Sequence, residues 1–186
     1  GIDIREHGSG STGATNVWRN IGKLAGISVF AVDFAKGVIA IYVMQQANWL
    51  FSSLGLATNI AIENLSLFVI GAGMLALIGH SRPVWLSFKG GKSVATGVGV
   101  LFMLNWTVAI AAFSVWLATM AIWRTVSISS ISAATAAPIL MWILQGNIVY
   151  SSFVTVGCIF VIWLHRSNIE RILNGTELTF KSDSKA

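Results

Sequence analysis

The sequence has few charged residues with which to cover a water-exposed surface. Asp, Glu, Lys and Arg make up 10% of its 186 residues, whereas soluble globular domains carry roughly 25% charged residues. Apolar residues make up 55% of the chain, and the mean hydropathy is +0.75. This composition excludes a disordered chain and a conventional cytosolic enzyme, and it predicts an integral membrane protein.

Cysteine is almost absent as well. The single cysteine, Cys158, lies in the apolar run VGCIFVIWL and cannot form an internal disulfide. This excludes a disulfide-stapled secreted domain, and without a second cysteine the sequence does not favour a metal site. We expect Cys158 to be a small buried apolar residue, and we expect neither a metal ion nor a cofactor.

The basic residues do not form one run, so the net charge of +5 does not indicate a nucleic-acid partner. In a membrane protein such residues report topology and attraction to anionic groups. Eleven of the twelve lie in residues 1–23, 80–93, 124–127 and 165–186. The positive-inside rule predicts that these segments, and so both ends of this chain, are cytoplasmic. The twelfth, Lys36, lies inside a predicted span.

Polar residues divide the apolar sequence into six candidate membrane spans. We therefore predict an all-α fold, a polytopic helical membrane bundle that forms a single domain over residues 1–186. A spanning helix needs about 20 apolar residues, so several of these runs are short. The predicted spans lie at about residues 25–46, 64–79, 94–104, 106–123, 128–144 and 148–164.

The first polar segment, GSGSTGATNVWRN at residues 8–20, has the composition of an anion-binding loop. Small residues expose backbone N–H groups, and a loop of this kind that enters a helix favours a phosphate. Gly8, Gly10 and Gly13 satisfy the dinucleotide-binding pattern G-x-G-x-x-G. No apolar strand precedes Gly8, so we reject a dinucleotide-binding fold. The alternative interpretation is a flexible polar connector.

The second polar segment, GHSRPVWLSFKGGKSVATG at residues 79–97, combines Gly90–Gly91 with Lys89 and Lys92. It is not a nucleotide P-loop, because that motif needs a glycine where Leu86 stands. We predict a Gly/Lys anion cradle at the start of a helix. The alternative is a basic interfacial turn that faces anionic lipid.

The third polar segment, HRSNIERILNGTE at residues 165–177, follows the last predicted span. Its polar residues, among them His165 and Asn168, recur at helical spacing opposite an apolar face. The pattern fits a helix with a functional polar face. It also fits an amphipathic tail that lies on the membrane.

Two smaller polar groups lie at or inside predicted spans. Asp33 and Lys36 are three residues apart on one helix, where opposite charges can pair. Buried charges in a bilayer are paired or functional, so a structural pair and a direct substrate role both remain open. Ser127, Ser129 and Ser130 stand at a span boundary, where they either cap a helix or bind a ligand.

Taken in order, the three polar segments resemble the three cytoplasmic motifs of the bacterial acyl-phosphate:glycerol-3-phosphate acyltransferase family, PlsY. DFAKG at 33–37, GHSRP at 79–83 and RTVSISS at 124–130 are similar to further landmarks of that family. The resemblance covers nearly the whole chain. Each motif alone is modest support, whereas three in the right order on one predicted side of the membrane are specific.

The resemblance implies an activity and its partners. That family transfers a fatty acyl group from acyl phosphate to the 1-hydroxyl of sn-glycerol 3-phosphate, giving lysophosphatidic acid and phosphate, the first acylation of phospholipid synthesis. Neither acyl-CoA nor acyl carrier protein is its direct donor. The resemblance also implies a bacterial inner-membrane protein with a cytoplasmic active site and C-terminus. Its partners would be the lipid bilayer and an upstream enzyme that forms acyl phosphate.

The resemblance also implies site residues, matched position by position. The catalytic set is Ser9, Arg19, Lys92, His165 and Asn168. Together with the residue patterns above, the resemblance gives a candidate substrate-binding set of Gly8, Gly10, Thr15, Asn16, Lys36, Gly90, Gly91, Ser130 and Glu177.

The sequence departs from the family pattern at two points. Ser11 stands where many members have Asn, an exchange that we expect to be tolerated. The family has seven spans, and its first helix precedes the equivalent of Asp3. We therefore expect this sequence to be incomplete at its N-terminus.

Elementary chemistry is consistent with the implied reaction. An acyl phosphate is already activated, so no protein nucleophile is required; the protein must position the hydroxyl and stabilise the oxyanion, with Ser9 and Asn168 as candidate donors. Arg19, Lys92 and a protonated His165 would offset the repulsion between two phosphates. The general base is either His165 or a phosphate oxygen of the donor.

Two other classes of protein make different predictions. A transporter for an anionic metabolite, with Asp33 and Lys36 along its path, needs polar residues through the depth of the bilayer. The sequence instead concentrates them on one side. A purely structural or lipid-binding membrane protein would tolerate alanine throughout the three motifs.

Overall fold

The computed structural model describes residues 2–55 and 64–180, and every regular element within these ranges is helical. This confirms the predicted all-α class. The helices are α1 (Ala14–Asn20), α2 (Lys23–Ser53), α3 (Leu65–Ser81), α4 (Val94–Leu104), α5 (Trp106–Trp123), α6 (Val126–Leu144), α7 (Ile148–Leu164) and α8 (Arg166–Leu173), with 3₁₀ turns at Ile4–Glu6 and Val84–Leu86.

Each predicted apolar run forms a helix, but six separate membrane crossings are not confirmed. Four helical stretches are long and apolar enough to cross a membrane: Lys23–Ser53, Leu65–Leu86, Trp106–Trp123 and Val126–Leu144. The pair α7 and α8, bent by 55°, gives a fifth. The remaining helix, α4, has 11 residues, about half of the length that a crossing needs.

The first long helix, α2, continues beyond the predicted end at residue 46. Its 31 residues give a length of about 46 Å, more than the roughly 30 Å of the hydrocarbon core. Gln45 and Gln46 interrupt the apolar run, and hydropathy alone therefore ends the span too early. Glutamine is a good helix former, so the helix continues through it.

Four helices meet in the buried core. Ile41 of α2, Val69 of α3, Val108 of α5 and Met141 of α6 are each at most 1% exposed and belong to one apolar cluster. Close packing of such side chains fixes the helices that carry the polar segments.

Two glycines let α2 and α4 approach at backbone distance. A Cβ atom on Gly37 would lie 2.2 Å from the carbonyl oxygen of Thr96, and one on Gly99 would lie 2.2 Å from that of Phe34. Small residues at a helix crossing are a common device of membrane proteins. This contact ties the helix after the second polar segment to the helix after the first.

Candidate functional site

The three polar segments, called here the first, second and third motifs, line one cavity of about 660 Å³. Nine of the fourteen residues proposed from the sequence lie in its wall: Ser9, Thr15, Asn16, Arg19, Lys92, Ser130, His165, Asn168 and Glu177. Five do not: Gly8, Gly10, Lys36, Gly90 and Gly91.

The first motif is folded around the side chain of Asn16, which is 3% exposed. Its Oδ1 accepts a hydrogen bond from the Ser9 amide at 3.1 Å. Its Nδ2 lies 3.1, 3.0 and 2.9 Å from the carbonyl oxygens of Ile4, His7 and Ser11. Because Asn16 bonds to the protein itself, it shapes the loop that carries Ser9.

Gly8 and Gly10 make that loop possible. Their φ angles of +58° and +68° are in the left-handed region that favours glycine. A Cβ on Gly8 would also lie 2.4 Å from Oδ1 of Asn16. The two glycines allow the turn that carries Ser9, and their binding of substrate stays a prediction.

The second motif is seated on the end of α3. The Gly90 amide donates to the Ser81 carbonyl at 3.2 Å, and the Gly91 amide donates to the His80 carbonyl at 3.3 Å. Cβ atoms on the two glycines would lie 2.1 and 2.2 Å from atoms of His80. Of the residues in the predicted Gly/Lys anion cradle, Lys92 lines the cavity, whereas the amides of Gly90 and Gly91 are bonded to the end of α3.

The side chain of Lys92 places a cation in the cavity wall. Burial, with Arg171 and Arg19 nearby, lowers its pKa to about 8, although Glu177 acts in the opposite direction. In the part of the chain that the structure describes, its ammonium donates no hydrogen bond to the protein. Since lysine provides three donors, a phosphate in the cavity would supply the missing acceptors.

The third motif is organised by Glu177. Its Oε1 accepts from Ser127 and from Asn168, each at 2.6 Å, and its Oε2 accepts from Arg171 at 2.7 Å. Burial acts to raise the pKa of Glu177, but these bonds and the charge of Arg171 outweigh it, and the pKa is lowered. Glu177 is therefore an ionised anchor that joins the third motif to the start of α6.

His165 follows the last residue of α7. The residue is 3% exposed. Its Nδ1 lies 2.8 Å from the Val161 carbonyl oxygen, which only accepts, so Nδ1 carries a hydrogen, and in a neutral ring Nε2 is the acceptor. His165 lines the cavity, and its expected roles, a protonated ring that offsets phosphate charge or a base, both stay predictions.

Asn168 is one turn beyond His165 and is 4% exposed. Its Nδ2 donates to Glu177, and its Oδ1 is buried with no hydrogen-bond partner in the described ranges. An unpaired buried oxygen is unfavourable by itself. It would be satisfied by a hydroxyl group bound in the cavity.

The serines at the start of α6 do not cap it. The N-cap residue is Thr125, and it makes no side-chain capping bond. Ser127 donates to Glu177, Ser129 to the Thr125 carbonyl at 3.1 Å, and Ser130 accepts from Trp116 at 3.3 Å. Ser130 lines the cavity, which leaves ligand binding as its open role.

Lys36 does not reach the cavity. Its ammonium lies 2.9 Å from Oδ1 of Asp33, and its side chain is 55% exposed. The structure therefore favours pairing over the expected substrate contact. Asp33 has a second partner, His80, and both of these side chains line the cavity wall. The described ranges hold no cluster of His, Cys, Asp and Glu suited to a metal ion.

Residues 175–180 fold across the polar end of the bundle and are called here the C-terminal segment. The Leu178 carbonyl accepts from Nη2 of Arg19 at 3.3 Å, and the Phe180 amide donates to the Arg124 carbonyl at 2.8 Å. The Phe180 ring also lies 5.9 Å from that of Trp18. The segment thus joins the first motif to the third.

Beyond the polar end, the wall of the cavity is apolar. Buried residues from four helices line it: Val100, Leu101, Ala109, Ala112, Ala134, Ala137, Phe153, Val154 and Val161. Along α7, the 12 residues between Phe153 and His165 span about 18 Å. The cavity therefore joins a cationic end to an apolar slot that enters the bundle.

Sequence reasoning did not place Arg171 or His80 in the site, and it left Ser127 open between helix capping and ligand binding. Arg171 and Ser127 stood inside recognised segments, where their charge and hydroxyl group were visible. Their contacts with Glu177 across 6 and 50 residues were not. His80 stood in the GHSRP landmark, but its contact with Asp33 was not visible, because Asp33 is on another helix.

Comparison with known proteins places this geometry in a family. The family profile described as "Glycerol-3-phosphate acyltransferase" matches residues 1–175. Curated proteins named glycerol-3-phosphate acyltransferase from Acaryochloris marina (strain MBIC 11017) and Gloeobacter violaceus (strain ATCC 29082 / PCC 7421) are 48% and 43% identical, each over 95% of this chain and 80% of its own length.

Two solved structures are also similar. Both are crystal structures of PlsY (YgiH), described as an integral membrane glycerol 3-phosphate acyltransferase. The glycerol 3-phosphate form has a TM-score of 0.83 and 36% identity, over 98% of this chain and 84% of that chain. The lysophosphatidic acid form has a TM-score of 0.78 and 35% identity, over 94% and 82%.

Proposed function

This chain belongs to the glycerol-3-phosphate acyltransferase family, and from that premise we propose the donor, the acceptor position and the residues that act. It transfers a fatty acyl group from an acyl phosphate to the 1-hydroxyl of sn-glycerol 3-phosphate. The products are lysophosphatidic acid and inorganic phosphate. The relatives named above act on, or were solved with, glycerol 3-phosphate and lysophosphatidic acid, which supports the acceptor and the lipid product.

The single observation that carries the proposal is the two-part cavity. One end holds the cations of Arg19 and Lys92, and the other is an apolar slot between helices. An acyl phosphate has these two parts itself, a phosphate and a hydrocarbon chain. A cavity that accommodates both a phosphate and a hydrocarbon chain explains why a membrane protein catalyses the reaction.

Arg19 and Lys92 offset the repulsion between the phosphate groups of the two substrates. Two phosphate groups brought to 4 Å repel by about 4 kcal/mol for each pair of charges at an effective dielectric constant of 20. Arg19 offers a planar fork of donors and Lys92 a point charge. Burial, with Arg171 and Arg19 nearby, lowers the pKa of Lys92.

The transfer requires that the protein position the two substrates, and it does not require a protein nucleophile. The 1-hydroxyl oxygen bonds to the carbonyl carbon, the bond from that carbon to the phosphate oxygen breaks, and phosphate leaves with the electron pair. The hydroxyl proton passes to Nε2 of His165 or to a phosphate oxygen of the donor. Ser9 and Ser130 supply hydroxyl donors at the cavity wall, and Asn168 Oδ1 accepts from the glycerol hydroxyl group.

We further infer the cellular setting. The three motifs face the cytoplasm of a bacterial inner membrane, which the distribution of basic residues supports. Acyl phosphate must come from an enzyme that forms it upstream. The transporter alternative receives no support, because the inner wall of the cavity is apolar and offers an anion no path.

Comparison of two donors tests the proposal. The purified protein, reconstituted in vesicles, receives labelled glycerol 3-phosphate with either palmitoyl phosphate or palmitoyl-CoA. We expect labelled lysophosphatidic acid from palmitoyl phosphate alone, acylated at the 1-position. Product from palmitoyl-CoA and none from palmitoyl phosphate would overturn the assigned donor.

A further inference from the structure

A buried pair of side chains links α2 to the end of α3, and the mechanism above does not use it. Oδ1 of Asp33 lies 3.3 Å from Nδ1 of His80 and 2.9 Å from Nζ of Lys36. The side chains of Asp33 and His80 are each 7% exposed. A buried carboxylate needs such partners, and because it only accepts, it fixes the orientation of the imidazole ring.

The far side of that ring lies against Gly91. A Cβ atom on Gly91 would lie 2.2 Å from Nε2 of His80, so the ring occupies the space that a side chain would need. The Gly91 amide also donates to the His80 carbonyl, and the Gly90 amide donates to Ser81 beside it. His80 therefore holds the turn that precedes Lys92 by its ring and by its backbone.

The residue after Lys92 is fixed as well. Ser93 is fully buried, and its Oγ donates to the Leu77 carbonyl on α3 at 2.7 Å. Its φ of +58° is unusual for a serine. Lys92, which donates no hydrogen bond of its own in the described ranges, is thus placed by its two neighbours.

We propose that Asp33 and His80 are positioning residues for Lys92. The carboxylate orients the imidazole, the imidazole seats the Gly90–Gly91 turn, and the turn directs the ammonium into the cavity. The proposal rests on the proposed function, in which Lys92 binds a substrate phosphate. It assigns Asp33 a role beyond its pairing with Lys36 and without contact to the substrate.

Kinetics of the full chain in vesicles test this role. In Asp33→Ala and His80→Ala we expect the KM for glycerol 3-phosphate to rise about tenfold, while kcat changes less than about threefold, because Lys92 is present but no longer held. Asp33→Asn keeps an oxygen that accepts from Nδ1–H, so its KM stays within about threefold of the wild type.

Ser151→Ala is the matched control. Ser151 is also fully buried and donates a hydrogen bond, 3.4 Å to the Met141 carbonyl, outside the cavity wall. We expect it to leave both kinetic constants unchanged. Melting temperatures show that the variants fold. A KM within about twofold of wild type in Asp33→Ala and His80→Ala, or equal losses in Asp33→Ala and Asp33→Asn, would overturn the proposal.

A second variant tests the ring contact without removal of a buried charge. Gly91→Ala places a methyl group against Nε2 of His80, so we expect a rise in KM of about tenfold. In the His80→Ala background the same change adds less than about twofold, because the space is then free. Fully additive losses would show that the ring does not hold the turn.

A measurement without substrate follows the titration of Lys92. ¹³C NMR of methylated lysines reports its pKa, and Lys92→Arg assigns the signal. Burial lowers the pKa of Lys92 to about 8, and we expect a higher value in Asp33→Ala and His80→Ala as the freed ammonium becomes hydrated. An unchanged titration in both would overturn the positioning role. Failure of the wild type to acylate glycerol 3-phosphate would overturn the proposed function instead.

Discussion

At the scale of single residues, the polar end contains groups that face a ligand and groups that hold them. Lys92 and His165 line the cavity. Asn16 and Glu177 make their hydrogen bonds to the protein. The motifs revealed all four from the sequence, but the division between the two groups depends on partners that only the folded chain brings together.

Loss of a single cation should stop turnover. We expect Arg19→Ala and Lys92→Ala each to abolish acyl transfer, because two phosphates must then meet with one compensating charge fewer. Phosphate release in vesicles measures the rate, and a melting curve shows whether the variant folds.

The matched control for these variants is Lys89→Ala. Lys89 is a cation of the same motif, but it is exposed and does not line the cavity. We expect its loss to leave the rate near that of the wild type. A near-normal rate in Arg19→Ala or Lys92→Ala would remove that residue from the site.

The affinity for glycerol 3-phosphate should fall as the pH rises through about 8. Burial and the nearby Arg171 lower the pKa of Lys92 to about 8, so the charged fraction falls from about nine-tenths at pH 7 to about one-tenth at pH 9. A phosphate monoester is already a dianion above about pH 6. The charge lost in this interval is therefore that of the protein.

Calorimetric titrations with glycerol 3-phosphate between about pH 7 and 9.5 measure this dependence. In Lys92→Arg the guanidinium stays charged throughout, so the fall should disappear even if the affinity is lower. The same fall in that variant would contradict the assignment to Lys92.

At the scale of elements, periodicity and hydropathy found the helices but not the contacts between their ends. The break at Asn105 was visible as a polar residue between apolar runs, and its side chain does cap α5 by accepting from the Val108 amide at 3.1 Å. The bond between Arg19 and Leu178 joins residues 159 apart in the chain. Nothing local in a sequence predicts such a contact.

The crossing of α2 and α4 should depend on glycine. A Cβ at Gly99 would meet the Phe34 carbonyl oxygen at 2.2 Å, so Gly99→Ala must push two backbones apart. We expect a loss of about 1–3 kcal/mol of stability, measured as a lower melting temperature in detergent.

Gly71→Ala is the control for the crossing. Gly71 is also helical, on α3, but nothing lies within 4 Å of a Cβ built there. Its melting temperature should match or exceed that of the wild type, since alanine favours a helix. Equal melting temperatures for Gly99→Ala and Gly71→Ala would show that the crossing tolerates separation.

At the scale of the whole molecule, the bundle joins a cationic end to an apolar interior. The sequence predicted the first part, because basic and small polar residues cluster in segments on one predicted side of the membrane. It could not predict the slot. Four helices contribute apolar residues to the wall of the slot, among them Leu101, Ala109, Ala137 and Phe153. Each of these residues is typical of any membrane-spanning helix.

The most direct measurement follows phosphate and lipid in one reaction. Reconstituted protein receives palmitoyl phosphate with or without glycerol 3-phosphate, and inorganic phosphate and lysophosphatidic acid are both quantified. If one cavity brings the two substrates together, each molecule of lysophosphatidic acid will be matched by one of phosphate, and neither will form without glycerol 3-phosphate. Phosphate release that does not depend on glycerol 3-phosphate, or the absence of any lipid product, would contradict the account.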